Sequence, residues 1–341
     1  MTVPPLFNRV LVGTTLLVLT LAGVVAYALV FYSLFKHRKD FHQKHNFYWL
    51  VWLLGVGDLA VLAATLLVAV PLSYAGRPLY GDGAVLVALS TLDTVGFRVS
   101  VHGSFAIAVN RALCFSSRRL YNWLFFERRV AAVLGAILAL TAVHAALSNL
   151  VRRRNVCTAR KQPALPAAHY WKKFNAERFH FYMEVNRSDA RAAVLFLDAE
   201  TLVRLLDLYT FVEGIVPHAT FALYVAVYLY VRLYVVGLSK LKANDDDDER
   251  HAASSNLEKS LLLQGTLISV VTQVEWLSFY YNRTLVRASI ALFGTRLYGG
   301  LLLSSLVVVN SAVHPLVYLA FNRLLRQRVA SDLRAVLSSC R

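Results

Sequence analysis

The sequence predicts an all-α membrane protein, a bundle of seven transmembrane helices followed by a short amphipathic C-terminal helix. Hydrophobic residues make up 57% of the 341 residues and charged residues only 16%, whereas about a quarter of a typical soluble chain is charged. The apolar residues form long blocks, and one helix needs about 20 apolar residues to cross a bilayer. The blocks also lack the strict apolar–polar alternation of strands in a membrane barrel.

Seven apolar blocks are long enough to be membrane-spanning helices. The third is the least apolar, because it contains Asp93, Arg98 and His102. We still expect it to span the membrane, since polar residues within a span usually face the interior of a bundle. The seven blocks cover residues 6–35, 47–72, 84–115, 130–151, 206–236, 261–281 and 293–321.

These blocks predict one membrane domain over residues 1–321. Within it lie a long outer loop at 152–205 and an acidic inner loop at 237–259. A run of like charges usually forms a solvated loop. Residues 322–341 place Arg, Leu and Val at helical spacing. This pattern predicts an amphipathic helix and tail on the cytoplasmic membrane surface.

The basic residues of the short loops predict how the chain crosses the membrane. One such loop contains Lys36, His37, Arg38 and Lys39, and the short loops on the opposite side are poorer in basic residues. Basic short loops stay in the cytoplasm, so the N-terminus is expected outside. The net charge of +16 then reflects topology, and nucleic acid is not an expected partner. We expect a multi-pass protein of the plasma membrane, surrounded by lipid.

Two Asn-x-Ser/Thr sequences fall in loops assigned to the outside. They begin at Asn186 and Asn282, which predicts N-glycosylation at both residues. Cys157 lies in the long outer loop and has no obvious partner for a disulfide. The sequence has no Gly-rich phosphate loop and no His/Cys spacing typical of a metal site. We therefore expect no enzyme activity, no cofactor and no metal.

The seventh block carries the strongest motif of the chain. It contains Asn310-Ser311, then His314-Pro315, then Tyr318. This pattern resembles the seventh helix of rhodopsin-like (class A) G-protein-coupled receptors, although that family has Asn where this chain has His. The proline is expected to kink the helix. The resemblance implies that Pro315 and Tyr318 permit rearrangement of this helix.

Other blocks extend the resemblance along nearly the whole chain. Asn110 and Arg111 match the family's Asp-Arg pair on the third helix, with only the arginine kept. Trp276 matches the tryptophan of the sixth helix. Eighteen residues, about five helical turns, separate it from Glu258, so the two share a face. The resemblance implies that Glu258 pairs with Arg111 in the resting state.

The resemblance also implies a buried polar pocket like the family's sodium site. Its residues are Asp58, Ser100, Asn310, Ser311 and His314. The histidine departs from that pocket, and a cationic His314 could pair with Asp58 in place of sodium.

A ligand is expected in the outer half of the bundle, near Asp93, Phe97, Trp276 and Tyr280. Asp93 occupies the position of the amine-binding aspartate in amine receptors, and the alternative is that it pairs with a nearby Arg or His. No lysine follows Lys259, so the resemblance does not extend to a retinal Schiff base on the seventh helix.

Within the superfamily, several features resemble nematode serpentine chemoreceptors. They include Asn110-Arg111 and the stretch Phe47-Tyr48-Trp49-Leu50 that leads to Asp58. A virally encoded receptor homologue is the competing interpretation. The resemblance implies a chemosensory receptor that binds an unknown small molecule or peptide and signals to a heterotrimeric G protein. The alternatives are a receptor-like protein that does not signal and a small-solute transporter or channel.

Overall fold

The structure is a computed structural model. It describes residues 5–41, 47–76, 79–80, 84–126, 129–143, 171–175, 180–184, 199–230, 232–233, 248–295 and 297–339. The predictions for Asn186 and Cys157 lie outside these residues.

The described part of the chain is mainly helical, and the predicted fold class is confirmed. We label the main helices α1 Leu6–Lys36, α2 Phe47–Ala75, α3 Ala84–Ser116, α4 Arg129–Val143, α5 Ala199–Tyr230, α6 Asp248–Tyr280, α7 Leu297–Phe321 and α8 Arg323–Ser339. Among them, α1, α2 and α7 are each long and apolar enough to cross a membrane. Shorter apolar helical stretches include Arg129–Val143 and Gly214–Tyr230.

Smaller elements of the described residues lie between these helices. An antiparallel hairpin forms within the long loop, and its strands contact α3 and α7. No strand was predicted there from the sequence. The smaller elements are the helices Arg38–Phe41, Arg118–Phe125 and Asn282–Phe293, and the hairpin of β1 Trp171–Asn175 and β2 His180–Glu184.

Two helices begin earlier than the apolar blocks suggested. Helix α5 starts at Ala199, inside the loop predicted at 152–205. Helix α6 starts at Asp248, inside the acidic loop predicted at 237–259. Acidic residues in the first turn of a helix interact favourably with the helix dipole, so the acidic run is compatible with a helix start. The apolar pattern marks only the part of each helix that lies in the membrane.

A proline interrupts α2 near its C-terminal end. The helix contains a π-helical turn at Thr65–Ala69, followed by Val70–Ala75, with a proline at the start of this last segment. Pro71 has no N–H to donate to the carbonyl of Leu67 four residues earlier. The hydroxyl of Tyr80 donates to that carbonyl instead, at 2.6 Å. Gly76, with φ 64°, then ends the helix in the left-handed conformation.

Small residues allow the central helices to approach closely. A Cβ atom on Gly57 of α2 would lie 2.8 Å from the backbone oxygen of Gly96 of α3. A Cβ atom on Gly23 of α1 would lie 2.9 Å from the Cβ atom of Ala312 of α7. Small residues drive helix association in membranes because they let backbones pack against each other. These contacts bring α1, α2, α3 and α7 together around a common centre.

The C-terminal helix α8 is docked on the C-terminal end of α1. Leu325 and Val329 are buried on one face of α8. On the same face, Asp332 accepts a hydrogen bond of 2.7 Å from Lys36 and lies 3.3 Å from Nε2 of His37. Burial raises the pKa of the Asp332 carboxyl, but the hydrogen bonds from Lys36 and His37 outweigh this and leave its pKa below the usual value. We call this group of three ionisable residues the α1–α8 clasp.

Candidate functional site

A fully buried carboxylate lies at the centre of the bundle. The Asp58 side chain of α2 is 0% exposed. Its Oδ1 atom accepts a hydrogen bond of 2.7 Å from the hydroxyl of Ser100 on α3. Its Oδ2 atom accepts from the hydroxyl of Tyr27 on α1 and lies 2.6 Å from Nδ1 of His314 on α7. Four helices therefore meet at one acidic side chain.

His314 supplies the basic partner of this cluster. Its side chain is also 0% exposed, and it forms an ion pair with Asp58 when protonated. Burying a carboxylate is costly unless a charge and hydrogen bonds compensate it. The hydroxyls of Tyr27 and Ser100 supply the hydrogen bonds to Asp58, and His314 supplies the charge when it is protonated. The structure thus brings together three residues of the predicted polar pocket, Asp58, Ser100 and His314.

The other two pocket residues are buried on α7 beside this cluster. Asn310 and Ser311 are each 3% exposed. The Oδ1 atom of Asn310 accepts a hydrogen bond of 3.1 Å from Thr272, so it connects α7 to α6. The hydroxyl of Thr272 also lies 3.1 Å from the carbonyl of Ile268.

The C-terminal end of α3 carries the arginine predicted to form the switch. The guanidinium of Arg111 lies 3.9 Å from the centre of the Phe47 ring at the start of α2, which is a cation–π contact. Beside it on α3, Ala112 and Phe115 pack against Val227 of α5. Arg111 thus lies where α2 and α5 approach the end of α3.

The remaining switch residues lie on α3, α6 and α7. Asn110 is buried, and its side-chain nitrogen has no hydrogen-bond partner among the described residues. Pro315 lies inside α7, and Tyr318 is buried one turn further on. Glu258 lies on the N-terminal part of α6, but its side chain is outside the described part of the chain.

The four predicted ligand-binding residues lie on two helices. Asp93 is fully buried on α3, and Phe97 follows it one turn later. On α6, the rings of Trp276 and Tyr280 stack at 5.3 Å with an angle of 13° between their planes. Asp93 and Phe97 are therefore neighbours on α3, and Trp276 and Tyr280 are neighbours on α6.

Helix α5 contributes to the surroundings of the tryptophan. The ring of His218 meets the ring of Trp276 edge-on at 4.5 Å, and its Nδ1 atom lies 2.6 Å from Nε2 of Gln273. A Cβ atom on Gly214 would lie 3.3 Å from Trp276. The side of Trp276 is thus packed against α5, at the seam between α5 and α6.

Several of these contacts were not predicted from the sequence. Tyr27 was missed because α1 is so apolar that nothing marks the side facing the bundle. Tyr224 was missed because the family pattern places its tyrosine eight residues after Pro217, where Val225 stands. Seven residues is close to two helical turns, so Tyr224 is on the same face as the proline. Both Pro217 and Tyr224 are in fact buried.

Comparison with known proteins agrees with the geometry. The structure is similar to the crystal structure of squid rhodopsin, with a TM-score of 0.65 and 13% sequence identity. The match covers 100% of this chain and 89% of the other. The protein therefore has the rhodopsin-like seven-helix fold and is a multi-pass membrane protein.

The sequence of the first half of the chain points to a narrower group. Residues 17–159 match the family model of serpentine type 7TM GPCR chemoreceptors, Srx. No curated protein matches the chain significantly. The family match and the fold together confirm the expected resemblance and support a chemosensory G-protein-coupled receptor.

Proposed function

We propose that this chain is a plasma-membrane receptor that transmits ligand binding in the outer half of its bundle to a heterotrimeric G protein in the cytoplasm. The N-terminus lies outside, as the basic inner loops favour. The ligand, a small molecule or a peptide, binds near Asp93, Phe97, Trp276 and Tyr280. Asn186 and Asn282 carry glycans, and Asn282 is the first residue of an outer helix.

The position of Arg111 is the observation that carries this proposal. Arg111, near the C-terminal end of α3, contacts Phe47 of α2, and its neighbours Ala112 and Phe115 pack against Val227 of α5. A cation–π contact such as the one with Phe47 contributes about 1 kcal/mol. This is small enough for a ligand with a modest preference for one bundle arrangement to shift the population of states.

Helix α6 is the element that we propose to move. It is one continuous helix from Asp248 to Tyr280, so its inner and outer halves move together. Glu258 and Trp276 lie about five turns apart on one face of it. In the resting state Glu258 pairs with Arg111, with a strength of about 1 kcal/mol near the membrane surface. Outward movement of α6 frees Arg111 to contact the G protein, and rearrangement of α7 at Pro315 and Tyr318 accompanies it.

The test measures G-protein dissociation by energy transfer in cells, without ligand and at matched surface levels. We expect Glu258→Ala to raise basal signalling above wild type, because it releases Arg111. Arg111→Ala should reduce signalling to that of mock cells. The matched control is Arg287→Ala, which removes an exposed arginine from the outer helix Asn282–Phe293 and should leave signalling unchanged.

The opposite result has a clear meaning. If wild type, Glu258→Ala and Arg111→Ala all match mock cells with every class of G protein, the signalling proposal fails. A non-signalling receptor-like protein or a small-solute transporter would then replace it. The buried charged residues Asp93, Arg98 and Glu275 favour the transporter as the next hypothesis, because such residues often mark substrate paths. Solute flux into vesicles would be measured next.

A further inference from the structure

The cluster around Asp58 contains its own cation. Asp58 makes hydrogen bonds with Tyr27, Ser100 and His314, and His314 is the one basic side chain among these partners in the described part of the chain. Both Asp58 and His314 are completely shielded from solvent. A buried carboxylate without a nearby positive charge is strongly unfavourable. His314 is therefore positioned to neutralise Asp58 from within the protein.

The polar lining extends beyond the ion pair. The Nε2 atom of His314 and the hydroxyl of Tyr318 are buried without a hydrogen-bond partner among the described residues. They lie about one turn apart on α7. The hydroxyls of Tyr27 and Ser100 and the imidazole of His314 bring polar atoms from three neighbouring helices to Asp58. Such a lining suits a small positively charged group better than an apolar one.

We propose that the Asp58–His314 pair is a cation site whose occupant is built into the chain. The imidazole of His314 lies 2.6 Å from Oδ2 of Asp58 and fills the place where a small monovalent cation could otherwise bind, so Na⁺ does not fit the native site. Replacing the imidazole with an amide would remove the internal cation and leave Asp58 unpaired. The cluster would then bind Na⁺, because small hard cations prefer oxygen ligands such as carboxylates, amide oxygens and hydroxyls.

The geometry identifies the ligands that the altered site would offer. In His314→Asn, the two oxygens of Asp58 and the hydroxyl of Ser100 remain, and the new amide adds one more oxygen. Asparagine is smaller than histidine, so the substitution also leaves space for the ion beside Oδ2 of Asp58. This proposal does not depend on signalling, since the purified chain alone can be tested.

The experiment compares melting temperatures of the purified full chain in nanodiscs, in NaCl and in choline chloride of equal ionic strength. Wild type should melt at the same temperature in both salts, within about 1 °C. His314→Asn should melt about 3 °C higher in NaCl when Na⁺ exceeds its dissociation constant tenfold. The double variant Asp58→Asn/His314→Asn should lose this difference, because the carboxylate that holds the ion is gone.

A second histidine provides the matched control. His102 lies on α3 within the bundle, with Nδ1 at 2.8 Å from the carbonyl of Arg98, and has no contact with Asp58. His102→Asn should show no preference for NaCl. If His314→Asn does not fold, His314→Gln tests the same change with a longer amide.

Three results would overturn the proposal. The first is a sodium-specific stabilisation of the wild type, which would mean that His314 does not occupy the site. The second is equal melting of a folded His314→Asn or His314→Gln variant in both salts. The third is a sodium effect that survives loss of Asp58 or appears equally in His102→Asn.

Discussion

The contact between Gly265 and Tyr224 holds α5 and α6 at a close distance. A Cβ atom on Gly265 of α6 would lie 2.8 Å from Cδ1 of the Tyr224 ring and closer still to Cε1 and Cζ. Ordinary contact begins at 3.4 Å, so the ring would have to retreat by more than about 0.6 Å. Tyr224 is 2% exposed, and a closely packed ring has little room to move. We predict that Gly265→Ala pushes α5 and α6 apart.

The expected cost follows from two opposing effects. Overpacking a well-packed site costs about 1–3 kcal/mol, and replacing Gly with Ala in a helix returns about 1 kcal/mol. The net destabilisation is therefore up to about 2 kcal/mol, which lowers the melting temperature by up to about 3 °C. Because α6 is displaced outward, basal G-protein signalling should rise at the same time. Both are measured on one set of variants, by thermal unfolding in nanodiscs and by energy transfer in cells.

The control is Gly103→Ala on α3, where the new Cβ atom would lie 3.6 Å from Cα of Leu54, an ordinary contact. This variant should not lower the melting temperature and should keep the wild-type basal signalling. Tyr224→Leu combined with Gly265→Ala should recover part of the lost stability, because the shorter side chain leaves room for the methyl group. The reasoning is refuted if Gly265→Ala behaves like Gly103→Ala in both assays.

Three further predictions concern the ion pair, the clasp and a turn. Removing one partner of the buried Asp58–His314 pair, as in His314→Ala, should lower the free energy of unfolding by about 3–5 kcal/mol. Adding Asp58→Asn should reduce that loss in a double-mutant cycle measured by thermal unfolding. If the two effects simply add, the pairing is contradicted. The pKa of Asp332 is lowered in the folded protein, so its contribution to α8 docking should be present above the usual carboxyl pKa and be lost as the pH falls through the lowered value. Hydrogen exchange of α8, expressed as protection relative to the intrinsic rate at each pH, should show this loss in wild type. In Asp332→Asn the protection should be the same above the usual carboxyl pKa and below the lowered pKa of the folded protein. Gly294 ends the helix Asn282–Phe293 with φ 67° and open space around it. Gly294→Ala should therefore lower the free energy of unfolding by about 1–2 kcal/mol, through backbone strain alone. Gly135→Ala, within α4 and equally unobstructed, should not lower the melting temperature.

The sequence predicted the bundle because the membrane imposes a simple pattern on it. Each span needs a long apolar block, and α1, α2, α3 and α7 begin within a few residues of the predicted positions. The apolar pattern did not predict the helical segments that lie outside the hydrocarbon core of the membrane. The first turns of α6 are acidic, and the helix Asn282–Phe293 is amphipathic, so neither forms an apolar block. The hairpin β1–β2 was not predicted either, since the sequence around it lacks clear alternation.

The polar cluster was partly predictable for a related reason. Asp58 and His314 stand out because ionisable residues inside apolar blocks are rare, and such residues usually pair in the bundle interior. The contact of Tyr27 with Asp58 could not be predicted, because tyrosine is common in membrane helices and α1 carries no marked polar face. The contact between Arg111 and Phe47 was hidden for another reason: an aromatic partner leaves no charge pattern in the sequence.

The α1–α8 clasp has a consequence for how α7 can move. Asn322 is the single residue between α7 and α8, and its side chain accepts from the backbone N–H of Leu325 and donates to the hydroxyl of Tyr48. Because Asp332 fastens α8 to α1, α8 cannot follow α7 without breaking its bonds to Lys36 and His37. A change in the direction of α7 must therefore be absorbed as backbone rotation at Asn322. The C-terminal end of α7 can therefore pivot at Asn322, but the α1–α8 clasp limits how far it can move away from α1.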